Sequence, residues 1–151
     1  MAFKRILCAV DFSETSLEAF RRAAEIARRF ASHLYVLHVI EARPVVPDLI
    51  GINEAGEMAV KLEEEATFSL ESLVASSAST LEGVPLTLEI TAGRAFVEIL
   101  NHARDWSADL IVLGAKGATA LEQIIIGGAA ERVMKDAPCS VLIVKGTSRT
   151  D

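Results

Sequence analysis

Two cysteines, Cys8 and Cys139, are all the thiols this chain has, and they form no C-x-x-C arrangement. A structural zinc site is therefore not expected. Each lies in or beside a predicted strand and reads as a buried thiol, which suits a reducing compartment. No apolar run reaches the length of a membrane span, so membrane insertion is not expected. The opening MAFKRILCAVDF lacks the layout of a signal peptide, because its apolar part runs straight into a first strand. The expected location is the cytoplasm. Positive charge is also scarce. The formal net charge is −6, which argues against non-specific nucleic-acid binding.

Catalytic signatures are missing as well. There is no Ser-His-Asp order, no G-x-S-x-G elbow and no P-loop G-x-x-x-x-G-K-[ST]. Strand one is not followed by G-x-G-x-x-G, which argues against an ordinary dinucleotide dehydrogenase. No two histidines have metal-ligand spacing. His38 reads as a satisfied residue of the core or a strand end, and His33 and His102 read as surface residues. Nothing marks a nucleophile or a poised general base.

What is present is a soluble-protein composition, 51% apolar and 24% charged, over 151 residues. That length suits one domain, here residues 1–146 with a polar tail at 147–151. Residues 4–10 read as strand one, with an unbroken apolar run suited to burial on both faces. Ser13 or Thr15 can cap the next helix, and Thr15 with Glu18 matches a capping box. Leu17, Phe20, Ala24 and Ala27 share the inner face of that helix. Residues 33–40 read as strand two and 41–52, with Pro44, Pro47 and Gly51, as a loop. A long helix follows over about 53–80, with Leu62, Ala66, Leu70, Leu73 and Ser77 as its inner stripe. Residues 85–91 alternate and read as an edge strand. A helix over 96–104, a strand over 110–113, a helix over 129–135 and a strand over 140–144 complete the chain.

The alternation βαβαβαβαβ implies a parallel sheet with helices on both faces. If strands two and three wind to one side and four and five to the other, the order is 3-2-1-4-5. Ligands in such sheets sit at the carboxyl ends of strands where the winding reverses. Asp11 ends strand one and Gly114 ends strand four, so both fall at that point.

The stretch from Asp109 to Val144 carries the chemistry. Gly114 and Gly117 follow a buried strand, and Gly127 and Gly128 precede a helix. Glycines at such places let a backbone approach a ligand, and a helix N-terminus attracts phosphate. Tight turns alone would also explain them. Asp11 can accept from a ribose hydroxyl or help hold a metal, or it can simply form an Asx turn. Lys116 can pair with a phosphate as a point charge or be a solvated loop lysine. Thr119 reads as an ordinary loop residue, and Glu131 and Arg132 as surface contacts.

These residues resemble the universal stress protein family over almost the whole chain. ILCAVDFSETS is similar to its first strand and acidic turn, and LHVIE at 37–41 to the end of its second strand. DLIVLG, the G-x-x-G-x9-G spacing at Gly114, Gly117 and Gly127, and AERVMKDAPCSVLIV resemble its C-terminal signature. The resemblance implies a Rossmann-like, adenine nucleotide alpha hydrolase-like α/β fold with strand order 3-2-1-4-5. It also implies an ATP site. Ribose would sit at Asp11, with Ala9 and Val10 lining the pocket and the backbone of Val39 meeting adenine. Leu113, Gly114, Ala115 and Gly117 would wrap the ribose and phosphates. Gly127, Gly128, Ala129 and Ala130 would offer backbone N–H groups. The family's ATP motif has Ser or Thr where this chain has Gly128, so the hydroxyl is lost and the backbone donor kept.

The expected function is an ATP-binding stress-response regulator, with Mg²⁺ a companion of the nucleotide. It would act through conformation or through a regulatory protein partner that the sequence does not name. The alternatives are a nucleotide-independent interaction protein and a slow ATP hydrolase with Asp11 on the metal. Family members often dimerise through the last strand. The apolar strand 140–144 at a sheet edge calls for such a partner on its own account.

Overall fold

The computed structural model describes residues 3–41, 52–116 and 126–146. Strands β1 (Arg5–Ala9), β2 (His33–Ile40), β3 (Leu86–Ala92), β4 (Leu110–Gly114) and β5 (Ser140–Val144) form one parallel sheet. Its order is β3-β2-β1-β4-β5, as expected from the alternation. The helices are α1 (Glu14–Phe30), α2 (Ile52–Ser76), α3 (Ala78–Leu81), α4 (Ala95–Trp106) and α5 (Gly128–Asp136). The single long helix expected over 53–80 is thus divided at Ser77.

Each face of the sheet carries its own core. Because side chains alternate along a strand, Ile6 and Cys8 pack with Phe20, Ala23, Ala27 and Leu70 on the side of α1 and α2. Leu7, Leu37 and Ile111 pack with Ile99, Ala103 and Val133 on the side of α4 and α5. Strands β1, after Arg5, and β4 are apolar because both of their faces are covered.

Of the two caps expected for α1, one is used. Ser13 is the N-cap and accepts from the Ser16 N–H, so Thr15 is not capping. The inner face is built on Ala19, Phe20, Ala23, Ala24 and Ala27, while Leu17 is only half-buried. On α2, Ala66 and Leu70 are buried as expected, but Leu62 is exposed. His33 and His102 are half-buried rather than on the surface. Helix α4 lies across β2 and brings Trp106 edge-on to His33 at 5.2 Å and Tyr35 near both Trp106 and His102. The expected loop at 41–52 lies outside the described residues apart from its ends.

Candidate functional site

Strands β1 and β4 sit at the centre of the sheet, and their carboxyl ends define the place where the winding reverses. After Ala9 the chain leaves the sheet. Val10 is buried, Asp11 is exposed, and Phe12 takes a left-handed conformation with φ 64°. The Ser13 N–H donates to Asp11 Oδ1 at 3.0 Å, which is an Asx turn. The Asp11 N–H donates to Ser16 Oγ at 3.2 Å. Asp11 therefore shapes the turn into α1 while remaining at the rim.

The turn is braced from β2. His38 Nδ1 lies 2.7 Å from the Val10 carbonyl oxygen. A carbonyl oxygen only accepts, so Nδ1 carries the proton. The His38 ring also lies 4.8 Å from that of Phe12. The contact between a left-handed Phe12 and His38 was hidden from sequence reasoning, because nothing local in the chain announces it.

Strand β2 runs past the end of β1. Their register stops at Ala9 opposite Leu37, and the Val10 N–H donates to the Leu37 carbonyl. Backbone groups of successive residues in a strand point to opposite sides. Val39 therefore turns its N–H and C=O to the same side as Leu37, beyond the end of β1. Ile40 faces the other way, where its carbonyl accepts from Gly93.

Beyond β4 the backbone is tied on both sides. The Ala115 N–H donates to Val144 O at 2.8 Å, and the Ala115 carbonyl accepts from the Gly127 N–H at 2.6 Å. That second bond brings the start of α5 to the end of β4. Leu113 and Ala115 are buried and Lys116 is half-buried. The Lys116 carbonyl accepts from Ser13 Oγ at 3.1 Å and Thr15 Oγ1 at 2.7 Å, and its N–H donates to Thr15 Oγ1. Ends β1 and β4 are thus stitched to each other through the first turn of α1.

Gly114 has a reason apart from any ligand. A Cβ built on it would stand 2.6 Å from Ser16 N and from Thr15 C, so α1 could not pack so closely. Gly128 is the opposite case, since a Cβ there would meet nothing within 4 Å among the described residues.

Gly127 is the N-cap of helix α5, which therefore has no side-chain cap. Its first intrahelical bond runs from the Glu131 N–H to the Gly127 carbonyl. The N–H groups of Gly128, Ala129 and Ala130 thus have no carbonyl partner within the helix. The expectation that Gly127 would offer a donor needs correcting, because its N–H is engaged by Ala115. Gly128 and Ala129 are exposed and Ala130 is buried. Gly117 and Thr119 lie outside the described residues.

Comparison with known proteins agrees with this architecture. The model of the universal stress protein family matches residues 2–145. Universal stress protein MJ0531 of Methanocaldococcus jannaschii is 36% identical over 146 residues, covering 95% of this chain and 82% of that one. The solved structure of Lactobacillus plantarum UspA superposes with a TM-score of 0.81 at 27% identity, covering 95% and 99% of the two chains. A universal stress protein from Archaeoglobus fulgidus, solved in complex with dAMP, has a TM-score of 0.64 at 24% identity, with 96% and 100% covered.

Proposed function

This chain belongs to the universal stress protein family, and we propose that it binds an adenine nucleotide, ATP in the first place, at the carboxyl ends of β1 and β4. The observation that carries the reading is the Ala115–Gly127 hydrogen bond. It seats the uncapped start of α5 beside the turn that follows β4. Three backbone N–H groups and the positive end of the helix dipole there suit phosphate. Relatives of the same fold have been solved with dAMP and with cAMP. At 24% and 18% identity they speak for the fold, so the nucleotide reading rests on the residues.

In this reading Asp11, at the rim, accepts from the ribose hydroxyls. Ala9 and Val10 line the floor. Val39 presents its backbone to the adenine edge. Leu113, Gly114, Ala115 and Gly117 surround the ribose and first phosphate, and Lys116 adds a positive charge. Gly128, Ala129 and Ala130 donate to the phosphates. Mg²⁺ would be held chiefly by those phosphates, since it asks for only one or two carboxylates from a protein. Asp11 is the candidate.

Gly128 replaces the Ser or Thr of the family motif. A hydrogen bond to a charged group contributes roughly 1.5–3 kcal/mol, so its absence lowers ATP affinity by roughly 10- to 150-fold. The site then responds to nucleotide only at high concentration, which suits a sensor of energy status. The protein acts through nucleotide-dependent conformation or partner binding. It also pairs with a second copy along β5, whose outer edge has no neighbouring strand among the described residues and which leaves Leu142 37% exposed.

Thermal unfolding with AMP, cAMP, ATP and GTP tests the reading. A ligand that binds the folded state raises the midpoint as its concentration passes its Kd. Adenine nucleotides raise it and GTP does not. No shift with any of them at millimolar concentration moves the assignment to a nucleotide-independent interaction protein. Phosphate release from ATP that vanishes in Asp11→Ala would instead favour slow hydrolysis.

A further inference from the structure

Two arginines share one aromatic ring at the same end of the sheet. The Arg132 guanidinium carbon lies 4.5 Å from the Phe96 ring centroid and that of Arg94 lies 5.8 Å from it. Both distances are within the reach of cation–π attraction, about 6 Å. Arg94 is the residue before α4 and Phe96 is in its first turn, while Arg132 is in the second turn of α5. Both arginines are exposed, and among the described residues neither makes an ion pair. A cation near a helix N-terminus is disfavoured by the helix dipole. With no carboxylate of the described residues at ion-pair distance, both guanidiniums keep N–H donors for an anion.

The placement of Arg132 points the same way. It is four residues beyond Gly128, so the two share a helix face, and side chains lean back toward the N-terminus. The Phe96 contact turns that face toward α4. No described residue comes within 4 Å of the Cβ side of Gly128. A guanidinium resting on a ring still has its N–H donors at its edge, the posture in which arginine takes phosphate oxygens in pairs.

We propose that Arg94 and Arg132, positioned by Phe96, form an anion site for a phosphate group outside the α5 N-terminus. It takes the outer phosphate of a polyphosphate chain. Where that chain belongs to ATP, the proposal rests on the nucleotide reading above. Where it is a free polyphosphate, it does not. Nearby carboxylates temper the site without closing it. Glu41 accepts from the Ala95 N–H, Glu98 accepts from Thr91 Oγ1, and Glu131 pairs with Lys135.

The experiment is calorimetric titration of the full chain with AMP, ATP and inorganic tripolyphosphate, in wild type, Arg94→Gln, Arg132→Gln and Arg132→Lys. Both arginines are exposed, so the variants are expected to fold, and far-ultraviolet circular dichroism verifies this. The expected result is an ATP affinity about tenfold lower in each Gln variant, with AMP unchanged. Arg132→Lys keeps the charge and loses the planar donor pair, so it falls between. Arginine dependence of ATP with tripolyphosphate silent assigns the site to the outer phosphates of a nucleotide. Arginine-dependent tripolyphosphate binding without any nucleotide binding upholds this proposal and overturns the nucleotide reading. ATP and tripolyphosphate affinities that are equal in wild type and both Gln variants overturn the proposal. So does absence of binding by both probes to the wild type.

Discussion

The Thr15 hydroxyl holds both backbone groups of Lys116, donating to its carbonyl at 2.7 Å and accepting from its N–H at 3.2 Å. The two residues are 101 positions apart. One hydroxyl thereby couples the start of α1 to the turn after β4. Thr15→Val keeps the shape and removes the acceptor of the Lys116 N–H, while Ser13 still serves the carbonyl. The expected loss is about 1–2 kcal/mol. Thr15→Ser keeps the hydroxyl and loses less. Urea unfolding of both variants checks the order.

Gly114→Ala is expected to cost more than a usual glycine-to-alanine change. The new Cβ would meet backbone atoms of Thr15 and Ser16 at 2.6 Å, and backbone cannot swing away as a side-chain tip can. Overpacking of this kind costs about 1–3 kcal/mol, or a fall in Tm of a few degrees per kcal/mol for a chain of this size. Gly128→Ala, whose Cβ meets no described residue within 4 Å, is expected to leave Tm unchanged or raise it slightly. Calorimetric scans of the two variants side by side measure the contrast.

Much of this arrangement was legible in the sequence. The bounds of β5 and the strand order follow from apolar runs cut by Asp, Gly and Pro, all local signals. Gly114 was legible as a special position, but its reason was not, because the atoms that require it belong to a helix start a hundred residues away. Thr15 looked like a cap because Glu18 is three residues on. Its hydroxyl is taken by Lys116, and Ser13, the other candidate, is the cap. His33 and His102 looked like surface residues because nothing adjacent marks the aromatic cluster that α4 assembles over β2. The Arg94–Phe96–Arg132 grouping was out of reach for the same reason.

Cys8 makes stability depend on alkaline pH. Burial pushes its thiol from 9.0 up to about 12. Between those values the unfolded thiol has lost its proton and the folded one keeps it, so the folded state binds more protons. Stability therefore falls as pH rises from about 9 toward 12, by at most about 1.4 kcal/mol per pH unit. Cys8→Ala removes that slope, which urea unfolding across this range against wild type detects. A thiol reagent at pH 8 is also expected to modify half-buried Cys139 well before Cys8. Burial, then the negative charge of Asp109, raises the Cys139 thiol too, so that reaction is slow.

Pairing along β5 is tested by charge. Leu142→Lys places an ammonium on the edge strand, where lysine opposes strand addition. Sedimentation is expected to show a dimer for the wild type at micromolar concentration and a monomer for the variant. A monomeric wild type contradicts the pairing.

The most direct test of the nucleotide assignment is calorimetric titration of nucleotide-stripped protein with Mg-ATP, in wild type and in Gly128→Ser. A Cβ at that position meets no described residue within 4 Å, and the serine supplies one hydroxyl beside the α5 donors. The account predicts saturable binding of one ATP per chain, tightened by about tenfold or more in Gly128→Ser. Heats that stay flat for both proteins would contradict it and leave the glycines of this loop with a structural role alone.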